Sequence, residues 1–194
     1  MHETKSQLRS RIVAARRSAD PAEREREARA LARHAAALAG PGTTVCAYVP
    51  VGSEPGSTAL IDGFVERGVV VLLPVARRDA EETPQPLQWG RYQPGELVSA
   101  PFGLHEPPPP WLAADAVREA TVVLVPALAV ARRGARLGRG AGFYDRTLGL
   151  AAPGARMVAV VRDDELVDRL PTEGHDVPMT HALTPGHGLV RLQE

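Results

Sequence analysis

The chain has 194 residues, of which 44% are hydrophobic and 24% charged, with Lys+Arg and Asp+Glu balanced at 23 each. That length suits one domain with a sizeable core, and a net charge of zero argues against a general nucleic-acid binder, whose affinity would come from neutralising phosphates. No apolar run approaches the ~18 residues of a membrane span, and the amino terminus is a charged helical pattern without an apolar signal segment, so a cytoplasmic monomer with no membrane partner is expected.

In chain order, Lys5, Leu8, Arg9, Ile12 and Arg16 recur at spacings of three and four, which places them on one face of a first helix. Asp20-Pro21-Ala22-Glu23 predicts the start of a second: Asp caps, Pro fits the first helical position, and Glu is placed to close a capping box. An Ala- and Arg-rich body follows and ends near Gly40-Pro41-Gly42, so the two helices together occupy residues 3–39. Apolar runs of strand length then fall at 44–49, 69–73, 121–125 and 157–161, and their lack of polar alternation suits strands buried on both faces of a parallel sheet. Leu60, Ile61 and Phe64 give residues 57–67 helical spacing, which completes a strand-helix-strand unit. The expected class is α/β: a single-domain α/β/α sandwich, residues 1–194, with a mainly parallel sheet.

Cys46 has no partner cysteine and reads as a small buried core residue. Eight prolines between Pro84 and Pro110 mark connections and strand edges, with Leu87-Gln88-Trp89 the one short strand expected among them. An interdomain linker is the alternative, but Trp89, Tyr92, Phe102 and Leu104 make the segment too apolar for a disordered tether.

The stretch LGRGAGFYDR, residues 137–146, follows the strand that ends Leu124-Val125-Pro126, and ligands of open α/β sheets gather at the carboxyl ends of strands. It lacks the Gly-Lys-Ser/Thr ending of a P-loop, and Phe143 stands where the dinucleotide fingerprint wants a glycine. Its chemistry still points to phosphate. Gly138, Gly140 and Gly142 let bare amides approach an anion, Arg136 and Arg139 add bidentate donors, and a helix starting near Gly140 would add its dipole. Asp145 would repel a polyphosphate unless Mg²⁺ lay between them. A surface turn pinned by a salt bridge accounts for the same residues and stands beside this reading.

The run RGARLGRGAGFYDRTL, residues 133–148, closely resembles the signature of the 5-formyltetrahydrofolate cyclo-ligases, also called 5,10-methenyltetrahydrofolate synthetases. Weaker matches follow the family order: the basic pair Lys5 and Arg9, Glu54 with Thr58, Phe102-Gly103-Leu104 followed by Glu106-Pro107, and the late element from Leu170-Pro171 to His175-Asp176. Three places depart from the pattern. Phe143 replaces a common Tyr, Ala141 a Gly or Lys, and Arg162-Asp163-Asp164-Glu165 a region that usually carries Gln and reads here as a solvated helix start.

The resemblance implies ATP as co-substrate, a Mg²⁺ requirement and a reduced folate substrate converted to 5,10-methenyltetrahydrofolate with release of ADP and phosphate. It further implies phosphorylation of the formyl oxygen, with positioning and charge stabilisation as the protein's main tasks. Carried over by position, Lys5, Arg9, Arg136, Leu137, Gly138, Arg139, Gly140, Ala141, Gly142, Phe143 and Tyr144 would line ATP, with Arg139 and Lys5 in the catalytic role. Val49, Glu54, Phe102 and Phe143 would meet the folate, and Asp145 and Asp176 would hold the magnesium. For Glu54 the alternative is a carboxylate that stabilises the start of the helix after it. A repurposed, non-catalytic nucleotide- or folate-binding member of the same fold remains the competing function, although retention of Lys5, Arg9 and Asp145 together favours the enzyme.

Overall fold

The computed structural model describes residues 4–171 and 177–193. Helix α1 (Lys5–Ser18) is started by Thr4, whose hydroxyl accepts from the Gln7 amide at 3.3 Å while the Gln7 side chain accepts from the Thr4 amide at 2.9 Å. Helix α2 (Pro21–Ala35) starts as expected, with the Asp20 carboxylate accepting from the Ala22 amide at 3.1 Å. Glu23 does not close the expected capping box; it lies 3.5 Å from Arg162, to which a longer-range charge draws it.

Seven strands form the main sheet among the described residues: β1 (Thr44–Cys46), β2 (Val70–Val75), β3 (Gln88–Arg91), β4 (Ala120–Pro126), β5 (Arg156–Val160), β6 (His181–Thr184) and β7 (Gly188–Arg191). Their order is β7-β6-β5-β4-β1-β2-β3. The inner strands run parallel, and β3 and β7 are antiparallel edges. The α/β class with a mainly parallel sheet is therefore as the apolar runs predicted. The first run is shorter than expected, because Ala47 makes one more bond to Leu72 at 2.9 Å and the chain then leaves the sheet for the loop that carries Glu54. The β6–β7 hairpin lies beyond the four apolar runs, with Pro185-Gly186 between two short apolar runs as its turn signal.

Successive strand residues feed two cores. Val45, Val71, Leu73, Val122, Leu124, Val158 and Leu183 face α2 and helix α3 (Thr58–Glu66), which contribute Leu31, Ala35, Leu60, Ile61 and Phe64. Cys46, Leu72, Val123, Val125, Met157 and Ala159 face the other side, where 3₁₀ turns at Ala114–Glu119 and Leu148–Leu150 and the buried Trp89 cover them. Each such buried Val or Leu contributes about 1.5–3 kcal/mol of transfer free energy. Burial on both faces is why the runs lack polar alternation.

A smaller three-stranded sheet joins Leu166–Val167, Ala129–Ala131 and Arg136–Leu137. Helix α1 lies on it through Ile12, which packs with Leu128, Ala129 and Leu137. Its hairpin turns at Gly134 (φ 85°), where an added side chain would meet the Met179 carbonyl at 2.7 Å. In the proline-rich segment, Val98–Ser99 pairs with His105–Glu106 around Phe102, which is held in the left-handed region (φ 64°). Among the described residues no helix is long and apolar enough to cross a membrane.

Candidate active site

Beyond the carboxyl ends of β1, β2 and β4 opens a cavity of about 370 Å³. It is walled by Val49 and Glu54 after β1, Ala76 and Arg78 after β2, and Ala127 and Leu128 after β4. The glycine stretch, from Gly138 through Asp145, closes another side, and Phe102 and His105 complete the rim. Parallel strands end together, so residues far apart in sequence converge there.

The glycine stretch takes its turns at Gly140 (φ 91°) and Gly142 (φ 79°), which need glycine, and not at Ala141, so alanine is accommodated without the strain a positive φ would bring. No helix starts at Gly140: residues 143–147 are turns that lead into the 3₁₀ segment, so a helix dipole adds nothing here. In its place, the amides of residues 139–143 donate to no carbonyl or side chain among the described residues, and Arg139 through Phe143 line the cavity. Thr147 holds the stretch from behind, its hydroxyl donating to the Phe143 carbonyl at 2.8 Å and accepting from the Leu87 amide at 2.8 Å.

The expected site residues divide into those at the cavity and those that support it. Val49, Glu54, Phe102, Arg136, Gly138, Arg139, Gly140, Ala141, Gly142, Phe143, Tyr144 and Asp145 all line it. Leu137 turns its side chain away, into the core beneath α1. Arg9 reaches across from α1, with Nε donating to the Gly138 carbonyl at 2.9 Å and the guanidinium against Gly140. Lys5, one turn back, lies outside the cavity wall. Asp176 falls outside the described residues.

The charges are paired with one another. Arg139 Nε lies 3.1 Å from Glu54 Oε1, while Glu54 Oε2 accepts from the Val51 amide at 3.0 Å. Glu54 therefore faces the glycine stretch and does not cap α3. Arg136 donates to Asp145 Oδ1. Two buried polar atoms here, Arg136 Nε and the Tyr144 hydroxyl, have no hydrogen-bond partner among the described residues. Burial, with the Glu54 charge adding to it, raises the Tyr144 pKa, so the phenol is a neutral donor. Burial likewise raises the pKa of the Tyr48 hydroxyl, which donates to the Pro55 carbonyl at 2.8 Å and fixes the Glu54 loop.

Residues 162–165 overturn the expectation of a solvated helix start. Asp163–Glu165 form a 3₁₀ turn whose Glu165 is only 5% exposed and binds Arg16, itself 2% exposed, through two contacts of 2.7 Å. Arg16 also donates to the Ala127 carbonyl at 2.6 Å and forms part of the cavity floor. A buried carboxylate survives only with such a partner, and Arg16 sits 149 residues away in sequence, so local reading had no signal for it.

A profile of the 5-formyltetrahydrofolate cyclo-ligase family matches residues 1–185. A 5-formyltetrahydrofolate cyclo-ligase of Mycolicibacterium smegmatis is 63% identical over 190 residues, covering 98% of each chain. One from Escherichia coli K12 is 31% identical over 73% of this chain and 78% of its own. Among solved structures, the Aquifex aeolicus 5,10-methenyltetrahydrofolate synthetase superposes with a TM-score of 0.78 at 25% identity, over 98% of this chain and 93% of that one. The Mycoplasma pneumoniae synthetase, 16% identical with a TM-score of 0.68 over 90% of this chain and 94% of its own, shares the fold.

Proposed function

Because the chain belongs to the 5-formyltetrahydrofolate cyclo-ligase family, a family of ligases, we propose that it converts 5-formyltetrahydrofolate and ATP to 5,10-methenyltetrahydrofolate, ADP and phosphate. One observation carries the reading: a single cavity brings Glu54 into contact, through Arg139, with a glycine stretch whose amides have no partner among the described residues.

A formamide carbon is a poor electrophile because the amide nitrogen feeds its carbonyl. Transfer of the γ-phosphoryl group to the formyl oxygen releases ADP and turns that oxygen into a leaving group. N10 of the folate then attacks the same carbon, phosphate departs with the oxygen, and the proton of N10 is lost. Phosphoryl transfer of this kind asks for positioning and charge stabilisation. The amides of Gly140, Ala141 and Gly142 and the guanidinium groups of Arg136 and Arg139 suit the phosphate oxygens. Arg9 and Lys5 support that side from α1, and Arg9 already braces Gly138. Glu54 suits the donor edge of the pterin, and Phe143 and Phe102 offer aromatic faces to the rest of the folate. On this reading the ligands exchange partners with the protein: phosphates take Arg139 from Glu54, and the pterin takes Glu54 from Arg139.

Magnesium is usually held by one or two carboxylates together with phosphate oxygens. Asp145, at the cavity edge with Oδ1 engaged by Arg136, fits that role, and Asp176 is the second candidate. Bound Mg²⁺ would neutralise charge on the β- and γ-phosphates. The test is to mix protein, 5-formyltetrahydrofolate, ATP and Mg²⁺ and follow the near-ultraviolet band of the methenyl product. ATP-dependent growth supports the reaction. A flat trace from folded protein that still binds ATP supports a repurposed binder.

A further inference from the structure

The mouth of the cavity holds a cation for which the reaction above has no use. Arg78 follows β2, and its guanidinium carbon lies 5.4 Å from the centre of the Phe102 ring and 5.6 Å from that of Phe143. The two rings are 6.3 Å apart and tilted by 51°, so the guanidinium rests on both. Its neighbour Arg77 is fully engaged, bidentate to Glu106 and stacked 4.4 Å over Trp111. Arg78 instead donates once, to the Glu82 carbonyl at 2.6 Å, and among the described residues it has no carboxylate within salt-bridge distance. The loop that carries it is pinned from within. Asp79 accepts from the amides of Glu81 at 3.1 Å and Thr83 at 2.8 Å and from the Gln85 side chain at 2.7 Å.

We propose that Arg78 takes the carboxylates of the substrate's glutamate tail, and so selects folates by their acidic end; this rests on the reading of the site given above. The cavity has two unlike ends. Glu54, 12% exposed, lies inside and suits the pterin, whereas Phe102, 59% exposed, marks the mouth. Between them the wall is apolar, with Val49, Leu104 and Phe143, which suits the aromatic ring that joins pterin to glutamate. A substrate that enters pterin first leaves its carboxylates at the mouth, beside solvent and beside Arg78. A guanidinium that rests on ring faces keeps its edge nitrogens free for bidentate contact with a carboxylate. ATP phosphates are the rival anion, but they must reach the formyl oxygen and the glycine amides inside.

The experiment compares wild type, Arg78→Ala and Arg78→Lys on 5-formyltetrahydrofolate and on its analogue without glutamate, 5-formyltetrahydropteroate. The Ala variant is expected to raise KM for the glutamate-bearing substrate about tenfold, the usual scale for a half-exposed charged contact. Its kcat, its KM for ATP and its KM for the tail-less analogue stay within about twofold, and Lys restores part of the loss. An equal rise for both folates overturns the proposal, because Arg78 then only props the rings. A rise confined to ATP, or no change, overturns it too. Wild type that turns over neither folate removes the proposed reaction instead. Calorimetric titration of 5-formyltetrahydrofolate into wild type and R78A then still decides the tail contact, since equal Kd values refute it.

Discussion

Two arginine–glutamate pairs touch the same cavity and are held in opposite ways. Beneath it, Arg16 and Glu165 are 2% and 5% exposed and meet through two contacts of 2.7 Å, while Arg16 also donates to the Ala127 carbonyl and Glu165 accepts from the Arg162 amide. At its side, Arg139 and Glu54 are 50% and 12% exposed and meet once, at 3.1 Å. The same chemical pair becomes a fixture where water is excluded and an exchangeable contact where water competes. On the proposed reading, a site that trades protein partners for phosphate and pterin needs the second kind resting on the first.

The sharpest way to break this comparison is to remove one member from each pair. Glu165→Ala leaves Arg16 charged and buried, so urea denaturation should show a loss of about 3–5 kcal/mol. A loss below about 1 kcal/mol would mean the lower pair is as exchangeable as the upper. Arg139→Ala should do the reverse. Stability stays within about 1 kcal/mol, while kcat/KM for the cyclo-ligase reaction falls about 10²-fold, the cost of removing one donor to a developing negative charge. Unchanged turnover with ATP saturating would count against its role at the phosphate.

A finer version of the contrast uses two glycines of positive φ. Gly134 turns beneath the cavity, where a methyl group would meet the Met179 carbonyl at 2.7 Å, whereas Gly142 (φ 79°) has nothing within 4 Å. Gly142→Ala should cost about 1–2 kcal/mol, from left-handed strain alone. Gly134→Ala should cost more, because strain and overlap add. Equal melting temperatures for the two variants would show that the turn beneath the cavity yields.

The main sheet was legible because burial on both faces leaves long apolar runs, and α2 because Asp20 and Pro21 sit where a helix start needs them. The short strands at Ala129–Ala131, Arg136–Leu137 and Leu166–Val167 carry two or three residues each, too few for any periodicity to register. At the site, residue type alone singled out the glycine stretch and family resemblance singled out Glu54, and both line one cavity. Arg16, Arg78 and Glu165 stayed hidden for a physical reason. A charge's role depends on what the fold brings to it, and on an isolated helix face Arg16 is indistinguishable from a solvated arginine.

The smallest expected effect concerns Asp163, which holds the turn that carries Glu165. Burial alone would raise its pKa, but the Thr184 hydroxyl, the amides of Gly186 and His187 and the nearby His187 ring together hold it below the usual carboxylate value. The folded state therefore prefers the ionised form. Its contribution is complete above the unfolded value, near pH 4, and fades as pH falls through the lower folded value. Asp163→Asn has no such titration, so wild type should exceed it in stability near pH 6 and approach it near pH 3. With the side chain 40% exposed, the gap to be lost is about 0.5 kcal/mol or less. Urea midpoints of both proteins at the two pH values measure it. A gap that stays constant or widens in acid would mean the carboxylate's charge plays no part in holding the turn, and that Glu165 is aimed at Arg16 by backbone packing alone.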